Sequence, residues 1–236
     1  MNKINYIPAF YIGNRVHTDY NNNIKQNPLI LVEKHIEALK NTEINLVSFV
    51  FNLDDLSIAN ELEDKIKKYN INFNYECIFR QNMGCSYGAW NDVIIKNLDD
   101  FDYFFIIEDD FIPTNPEFYK PFVQRCSDKY PYICEFTDVT WTGLPHPSIP
   151  HGIIQAKSCR EIYKKYKNIL KIYNDNNNLE TFYKIQRECF EYFINENFGI
   201  KDILDEYSAP FMSSPTRQIT IFGNPSNPSL LTPVTL

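Results

Sequence analysis

Three consecutive carboxylates, Glu108, Asp109 and Asp110, close the run F-D-Y-F-F-I-I-E-D-D-F-I-P at residues 101–113. Acids emerging from an apolar segment are costly to bury unless something positive meets them. Hard oxygen donors suit Mg2+ or Mn2+, which takes one or two protein carboxylates and fills its sphere with phosphate oxygens and water. Such a metal neutralises a nucleoside diphosphate and improves it as a leaving group. In an extended chain residues two apart point the same way, so Glu108 and Asp110 are expected on one side and Asp109 on the other. The bland alternative is that the acids solvate a strand end or cap a helix, but Pro113 and Thr114 intervene before any helix can start.

The elements that must position these acids are legible upstream. The run before Glu108 is short and apolar on both faces, which suits a strand in the middle of a parallel sheet. Ligands of open α/β sheets sit at the carboxyl ends of such strands. Ile4–Ile12 reads as a first strand, broken by Pro8 and turning at Gly13-Asn14. Arg15 and His17 follow, either as phosphate or base contacts or as members of a solvated loop. Pro28 opens a helix to about Asn41, with Leu29, Val32, Ile36 and Leu39 inward. Leu46–Phe51 is a second strand. Asp54 and Asp55 beyond it either cap a helix that runs to about Tyr69 or contact a nucleoside. Asn72–Phe79 is a third strand, R-Q-N-M-G-C-S at 80–86 is a turn, and a helix follows at about Tyr87–Asn97. Gly84 permits close backbone approach, and a helix N-terminus offers free N–H groups. The pattern β-α-β-α-β-α-β implies a parallel sheet with right-handed crossovers.

Past Pro113 the texture changes. A helix is expected at Asn115–Asp128 and a short strand at Tyr132–Phe136. Thr137–Pro150 is a long loop, of a length that tends to be functional. A strand at His151–Ala156 and helices at about Ser158–Tyr173 and Leu179–Asn197 come next. Ile203–Phe211 reads as extended and Arg217–Phe222 as a late edge strand. The last dozen residues form a loose tail.

Bulk properties narrow the classes. The 236 residues include 16 Tyr and 18 Phe, enough for a full core without staples. With 23 Lys and Arg against 30 Asp and Glu the net charge is −7, which argues against a nucleic-acid surface. Six scattered Cys without a C-x-x-C pair fit reduced thiols rather than structural zinc. No stretch has the ~18 apolar residues of a membrane span and the N-terminus carries no leader pattern, so the expected location is cytoplasmic, with peripheral membrane contact left open.

The acidic strand end resembles the D-x-D element of GT-A glycosyltransferases, in the E-D-D spelling found in several branches including the N-acetylglucosaminyltransferase I type. The upstream R-Q-N-M-G-C-S-Y-G-A-W-N-D-V-I-I resembles the N-x-G turn and helix that precede that strand in the large inverting branch. The G-C pair with E-D-D also resembles the lipooligosaccharide and collagen galactosyltransferase branch, which has Ser-His shortly after G-C where this chain has Gly88-Ala89. The resemblance covers roughly residues 4–155 and is most specific over 80–113.

That resemblance implies an α/β fold of GT-A (Rossmann-like) type: a mostly parallel central sheet flanked by helices, with a C-terminal acceptor-side region of helices and loops. It implies one catalytic domain over 1–236, with a nucleotide-sugar-binding half at 1–113, an acceptor-side half at 114–222 and a tail at 223–236. Asp110 would be the main metal ligand for Mn2+ or Mg2+. Glu108 would be a second ligand, Glu108 and Asp109 would touch the metal's water, ribose or base, and Arg80, Asn82 and Gly84 would line a nucleotide-sugar donor, most often a UDP-sugar. An inverting enzyme also needs a carboxylate to deprotonate the acceptor hydroxyl. By its distance to Gly199, the stretch R-E-C-F-E-Y-F-I-N-E-N-F-G offers Glu188, then Glu191. Asp138 is a third candidate, and for either Glu an exposed helix charge is the competing role. Trp141, His146 and His151 would wall an acceptor glycan or protein, or pin the loop. Arg217 would meet the diphosphate or solvent. Two other readings compete: a sugar-phosphate nucleotidyltransferase, which would want a Gly-rich basic loop where this chain has only G-N-R, and a non-catalytic sugar-binding protein, against which the intact acids speak.

Overall fold

The structure, a computed structural model, describes residues 2–13, 29–134 and 152–170, together with the backbone of short strands at 137–138, 146–147, 151, 200–202 and 212–213. Its strands are β1 (Ile4–Ile12), β2 (Leu46–Leu53), β3 (Tyr75–Gln81), β4 (Tyr103–Glu108), β5 (Ile112–Pro113), β6 (Tyr132–Cys134), β7 (Thr137–Asp138), β8 (His146–Pro147), β9 (His151–Gln155), β10 (Ile200–Asp202) and β11 (Met212–Ser213). Its helices are α1 (Leu29–Leu39), α2 (Ala59–Ile66), α3 (Cys85–Lys96), α4 (Lys120–Arg125) and α5 (Ala156–Tyr166), with a 3-10 turn at Leu56–Ile58.

The central sheet has seven strands in the order β10-β6-β9-β4-β1-β2-β3. Strands β1 to β4 are parallel neighbours, and β6 is parallel to β10. Only β9, antiparallel to both β4 and β6, breaks the pattern. This is the mostly parallel, helix-flanked α/β sheet expected from the alternation of apolar and amphipathic segments.

Side-chain alternation divides the core into two layers. Tyr6 and Phe10 of β1 and Phe105 and Ile107 of β4 face one side, with Leu31, Val32 and Ile36 of α1, Leu62 of α2 and Phe122 of α4. Ile7 and Ala9 of β1 and Phe104 and Ile106 of β4 face the other, with Trp90 and Val93 of α3 and Cys159 and Ile162 of α5. Burying each such aromatic or aliphatic side chain contributes roughly 1.5–3 kcal/mol. Apolarity on both faces is therefore what holds β1 and β4 in mid-sheet.

Several boundaries differ from the sequence reading, each for a physical reason. β1 is not broken at Pro8. The strand continues, and Pro8 still lies opposite Ile107 in the β4 ladder. On the β2 side the paired positions skip Ile7 and Pro8, and the carbonyl of Ile7 accepts the Trp90 indole N–H at 3.1 Å. β3 begins three residues later than expected because its register is set by β2, from Val47–Tyr75 to Leu53–Gln81. The expected helix at 115–128 shrinks to α4, since Pro121 has no N–H for an earlier carbonyl and so opens the helix. α5 stops at Tyr166, capped by Lys167 in the left-handed region. The chain beyond is clipped to α3 by Asn91, whose Oδ1 accepts from the amides of Ile169 and Leu170 at 2.8 and 3.1 Å. The expected loop 137–150 contains a small antiparallel pairing, β7 with β8. The segments at 179–197, 203–211 and 217–222 lie outside the described residues.

Among the described residues no helix is long and apolar enough to cross a membrane. Cys77, Cys85, Cys126 and Cys159 are free thiols.

Candidate active site

The chain runs from β1 outward to β2 and β3, then returns through α3 to place β4 on the other side of β1. The direction of travel reverses between β1 and β4, and in doubly wound sheets that switch point is where ligands bind, beyond the carboxyl ends of the strands. Glu108 ends β4 at this point.

All three acids are buried, with Glu108 9%, Asp109 5% and Asp110 0% exposed. The extended arrangement expected for them is corrected by the backbone. The strand stops at Glu108, and Asp109 and Asp110 form a turn closed by the Phe111 amide donating to the Glu108 carbonyl at 3.2 Å. The rule that residues two apart share a side therefore stops applying after Glu108. By strand alternation Glu108 belongs to the α3 side, with Phe104 and Ile106. Burial pushes the Cys85 thiol at the start of α3 up to about 11, and the Glu108 carboxylate adds to that rise.

Asp109 is held from two directions. Its Oδ2 accepts the Tyr11 amide of β1 at 3.3 Å, and its carbonyl receives Nε2 of His35 from α1 at 3.1 Å. Immediately after the turn, β5 pairs with β11, which brings the backbone of Met212–Ser213 to this end of the sheet.

A second corner forms where β1, β2 and β3 end. The Tyr11 hydroxyl donates to Asp54 Oδ2 at 2.6 Å, and Asn82 Nδ2 donates to Asp54 Oδ1 at 3.4 Å. The Asn82 amide donates to the Leu53 carbonyl at 2.9 Å. Asp54 is thus woven into the strand ends, while Asp55 caps the 3-10 turn by accepting the Ser57 amide at 2.9 Å. The two acids that the sequence left with shared alternatives have separate surroundings.

Arg80 braces the loop between β3 and α3. Its guanidinium donates to Asp92 at 2.9 Å, to Asn52 Oδ1 and to the Met83 carbonyl at 3.0 Å. Gly84 follows with φ 76°, a left-handed conformation that a β-carbon disfavours, and Cys85 also has positive φ. Gly88 comes so close to the loop that an added β-carbon would lie 2.1 Å from the Met83 carbonyl oxygen.

The structure therefore brings Asn82, Gly84, Glu108, Asp109 and Asp110 to one end of the sheet, with Arg80 supporting the loop. Among the described residues no group of three or more His, Cys, Asp or Glu side chains is arranged to hold a metal ion. The donors this turn offers are carboxylate oxygens, the chemistry a hard divalent ion shares with phosphate and water. The side chains of Asp138, His146 and His151, and residues Arg15, His17, Trp141, Glu188, Glu191 and Arg217, lie outside the described residues. The backbone does set Asp138 opposite His146 in the β7–β8 pair. His35 escaped the sequence reading. The available signal was its place three residues after Val32 and four before Leu39, within the apolar stripe of α1.

No protein-family model matches the sequence, and none of the curated proteins matches it. Solved structures do resemble the fold. A 4-diphosphocytidyl-2C-methyl-D-erythritol synthase from Anaerococcus prevotii aligns over 85% of this chain and 86% of its own, at 10% identity and TM-score 0.50. A cytidylyltransferase from Leptospira borgpetersenii aligns over 92% and 81%, at 12% identity and TM-score 0.50. A mannosyltransferase from Pyrobaculum calidifontis in complex with GDP-Man and Mn2+ aligns over 71% of this chain at 9% identity and TM-score 0.47, and the present chain covers 47% of that protein's length. At these identities the likeness is one of fold: a Rossmann-like α/β sheet shared with nucleotidyltransferases.

Proposed function

We propose that this chain is a metal-dependent glycosyltransferase that moves a sugar, with inversion, from a nucleoside-diphosphate sugar of the UDP kind to a hydroxyl acceptor on a glycan, glycolipid or protein. The observation that carries this reading is the burial of three adjacent carboxylates at the carboxyl end of β4, on the switch point of the sheet. Asp110, with Glu108, would hold Mn2+ or Mg2+, and the metal would screen the diphosphate as it leaves. Gly84 and the first turn of α3 would approach the phosphates with backbone N–H groups, and the positive end of the helix favours the same charge. Arg80, which donates to the Met83 carbonyl, would line the donor and support this loop. Asn82 and Asp54, joined by a hydrogen bond, would contact the nucleoside. A carboxylate from Glu188, Glu191 or Asp138 would take the proton of the acceptor hydroxyl as its oxygen bonds to the anomeric carbon and the bond to the diphosphate breaks.

The fold is also that of nucleotidyltransferases, and the products separate the two chemistries. With Mn2+ and a panel of nucleotide sugars, the protein is expected to release nucleoside diphosphate and free or transferred sugar. Release of pyrophosphate from nucleoside triphosphate and a sugar 1-phosphate, with no turnover of nucleotide sugars, would overturn the glycosyl-transfer reading.

A further inference from the structure

One fully buried polar chain, Tyr6–His35–Asp109, crosses the core between α1 and the acidic turn. His35 and Tyr6 are both 0% exposed and sit among Phe10, Phe105 and Phe118. A polar ring in such surroundings is costly unless its nitrogens are satisfied. Both are. Nδ1 lies 3.0 Å from the Tyr6 hydroxyl and Nε2 3.1 Å from the Asp109 carbonyl. A carbonyl only accepts, so Nε2 carries the proton. Burial holds the ring's pKa down at about 4, so the imidazole is neutral, Nδ1 accepts and the Tyr6 hydroxyl donates. The polarity of the whole chain is thereby fixed: Tyr6 to His35 to the backbone of the turn.

Another leucine would fill this place on α1 at lower cost. What the imidazole adds is a directional hold on one peptide group, in the middle residue of E-D-D. With its carbonyl drawn to α1 and its carboxylate drawn to the Tyr11 amide of β1, Asp109 is anchored by two elements.

We infer that His35 is a positioning residue: through the Asp109 carbonyl it sets the conformation of the turn that presents Glu108 and Asp110. Its effect on metal affinity rests on the glycosyltransferase reading above, whereas its hold on the turn does not.

The test pairs two measurements on the full chain. The Phe111 amide, which closes the turn on the Glu108 carbonyl, reports the turn by hydrogen exchange, and the β2 amides report global stability. His35→Phe is expected to speed Phe111 exchange by about tenfold beyond any change in β2, the equivalent of one lost hydrogen bond. His35→Gln, which keeps a donor on that side, is expected to recover most of the protection. Tyr6→Phe, which removes only the hydroxyl, should show the same effect more weakly and guards against a His35→Phe variant that fails to fold. Phe111 and β2 moving in parallel in the variants that fold would overturn the inference. By Mn2+ titration in the presence of UDP, His35→Phe is expected to weaken metal binding by about tenfold, as for other groups that orient metal ligands. An unchanged affinity would also overturn it. A wild-type protein that takes up no Mn2+ refutes the glycosyltransferase reading, and Phe111 exchange then decides the role of His35 alone.

Discussion

His35 shows how one side chain can couple stability to pH while holding a site. Its folded-state pKa, about 4, lies below the ordinary value of 6.5 because burial disfavours the charged ring. Between those values the unfolded chain binds a proton that the folded chain does not, so stability rises with pH through this window and is lost as pH falls. At about 1.4 kcal/mol per unit, the loss from pH 7 to pH 4.5 amounts to roughly 2–3 kcal/mol. Urea denaturation at the two pH values should show that loss in the wild type and a correspondingly smaller one in His35→Gln, where other titrating groups are unchanged. Equal losses in the two proteins would contradict a buried neutral imidazole. The Tyr6 phenol, pushed well above its usual range by burial, stays protonated throughout and continues to donate.

At the scale of elements, the loop from Arg80 to Gly84 and helix α3 act as one part. Replacing a helix-interior glycine with alanine ordinarily stabilises by about 1 kcal/mol. At Gly88 the new methyl would meet the backbone carbonyl of Met83 at 2.1 Å, and backbone cannot rotate away as a side chain would. Overpacking of this kind costs about 1–3 kcal/mol, so the loop carrying Asn82 and Gly84 must shift. Gly88→Ala is expected to lower UDP affinity about tenfold or more, measured by titration, and to lower rather than raise the melting temperature. Unchanged UDP affinity would place the donor away from this loop. The existence of β1 to β4 and their parallel pairing were legible from the β-α alternation, most plainly for β1, β2 and β4, which are apolar runs, and less so for β3, whose Y-E-C-I-F-R-Q is half-exposed. Their ends were less so, because ladder register is a property of two strands: β3 starts at Tyr75 where Val47 is waiting for it. The acidic triplet was legible as a site, but its geometry was misread. Alternation was extended past Glu108, and the turn is fixed by contacts from Tyr11 and His35, which lie 98 and 74 residues away.

At the scale of the whole molecule, one sheet order does most of the placing. Because β4 returns to the far side of β1, Glu108 arrives opposite Ala9 on the strand that carries Tyr6 and Tyr11. Two apolar layers fix that sheet from either side, and the Tyr6–His35–Asp109 chain links one of them to the crevice. The catalytic base resisted a sequence reading for a physical reason: in the sequence Glu188, Glu191 and Asp138 do not close an apolar run as Glu108 does, so spacing alone cannot say which carboxylate would serve. The central claim, a divalent ion held by Asp110 beneath a nucleoside diphosphate, is tested most directly by calorimetric titration of UDP with and without Mn2+. UDP is expected to bind with Mn2+ and to weaken at least about tenfold when the metal is chelated, and Asp110→Ala is expected to bind weakly and equally with and without Mn2+. UDP binding that ignores Mn2+ in the wild type, or an Asp110→Ala protein that keeps its metal dependence, would contradict it.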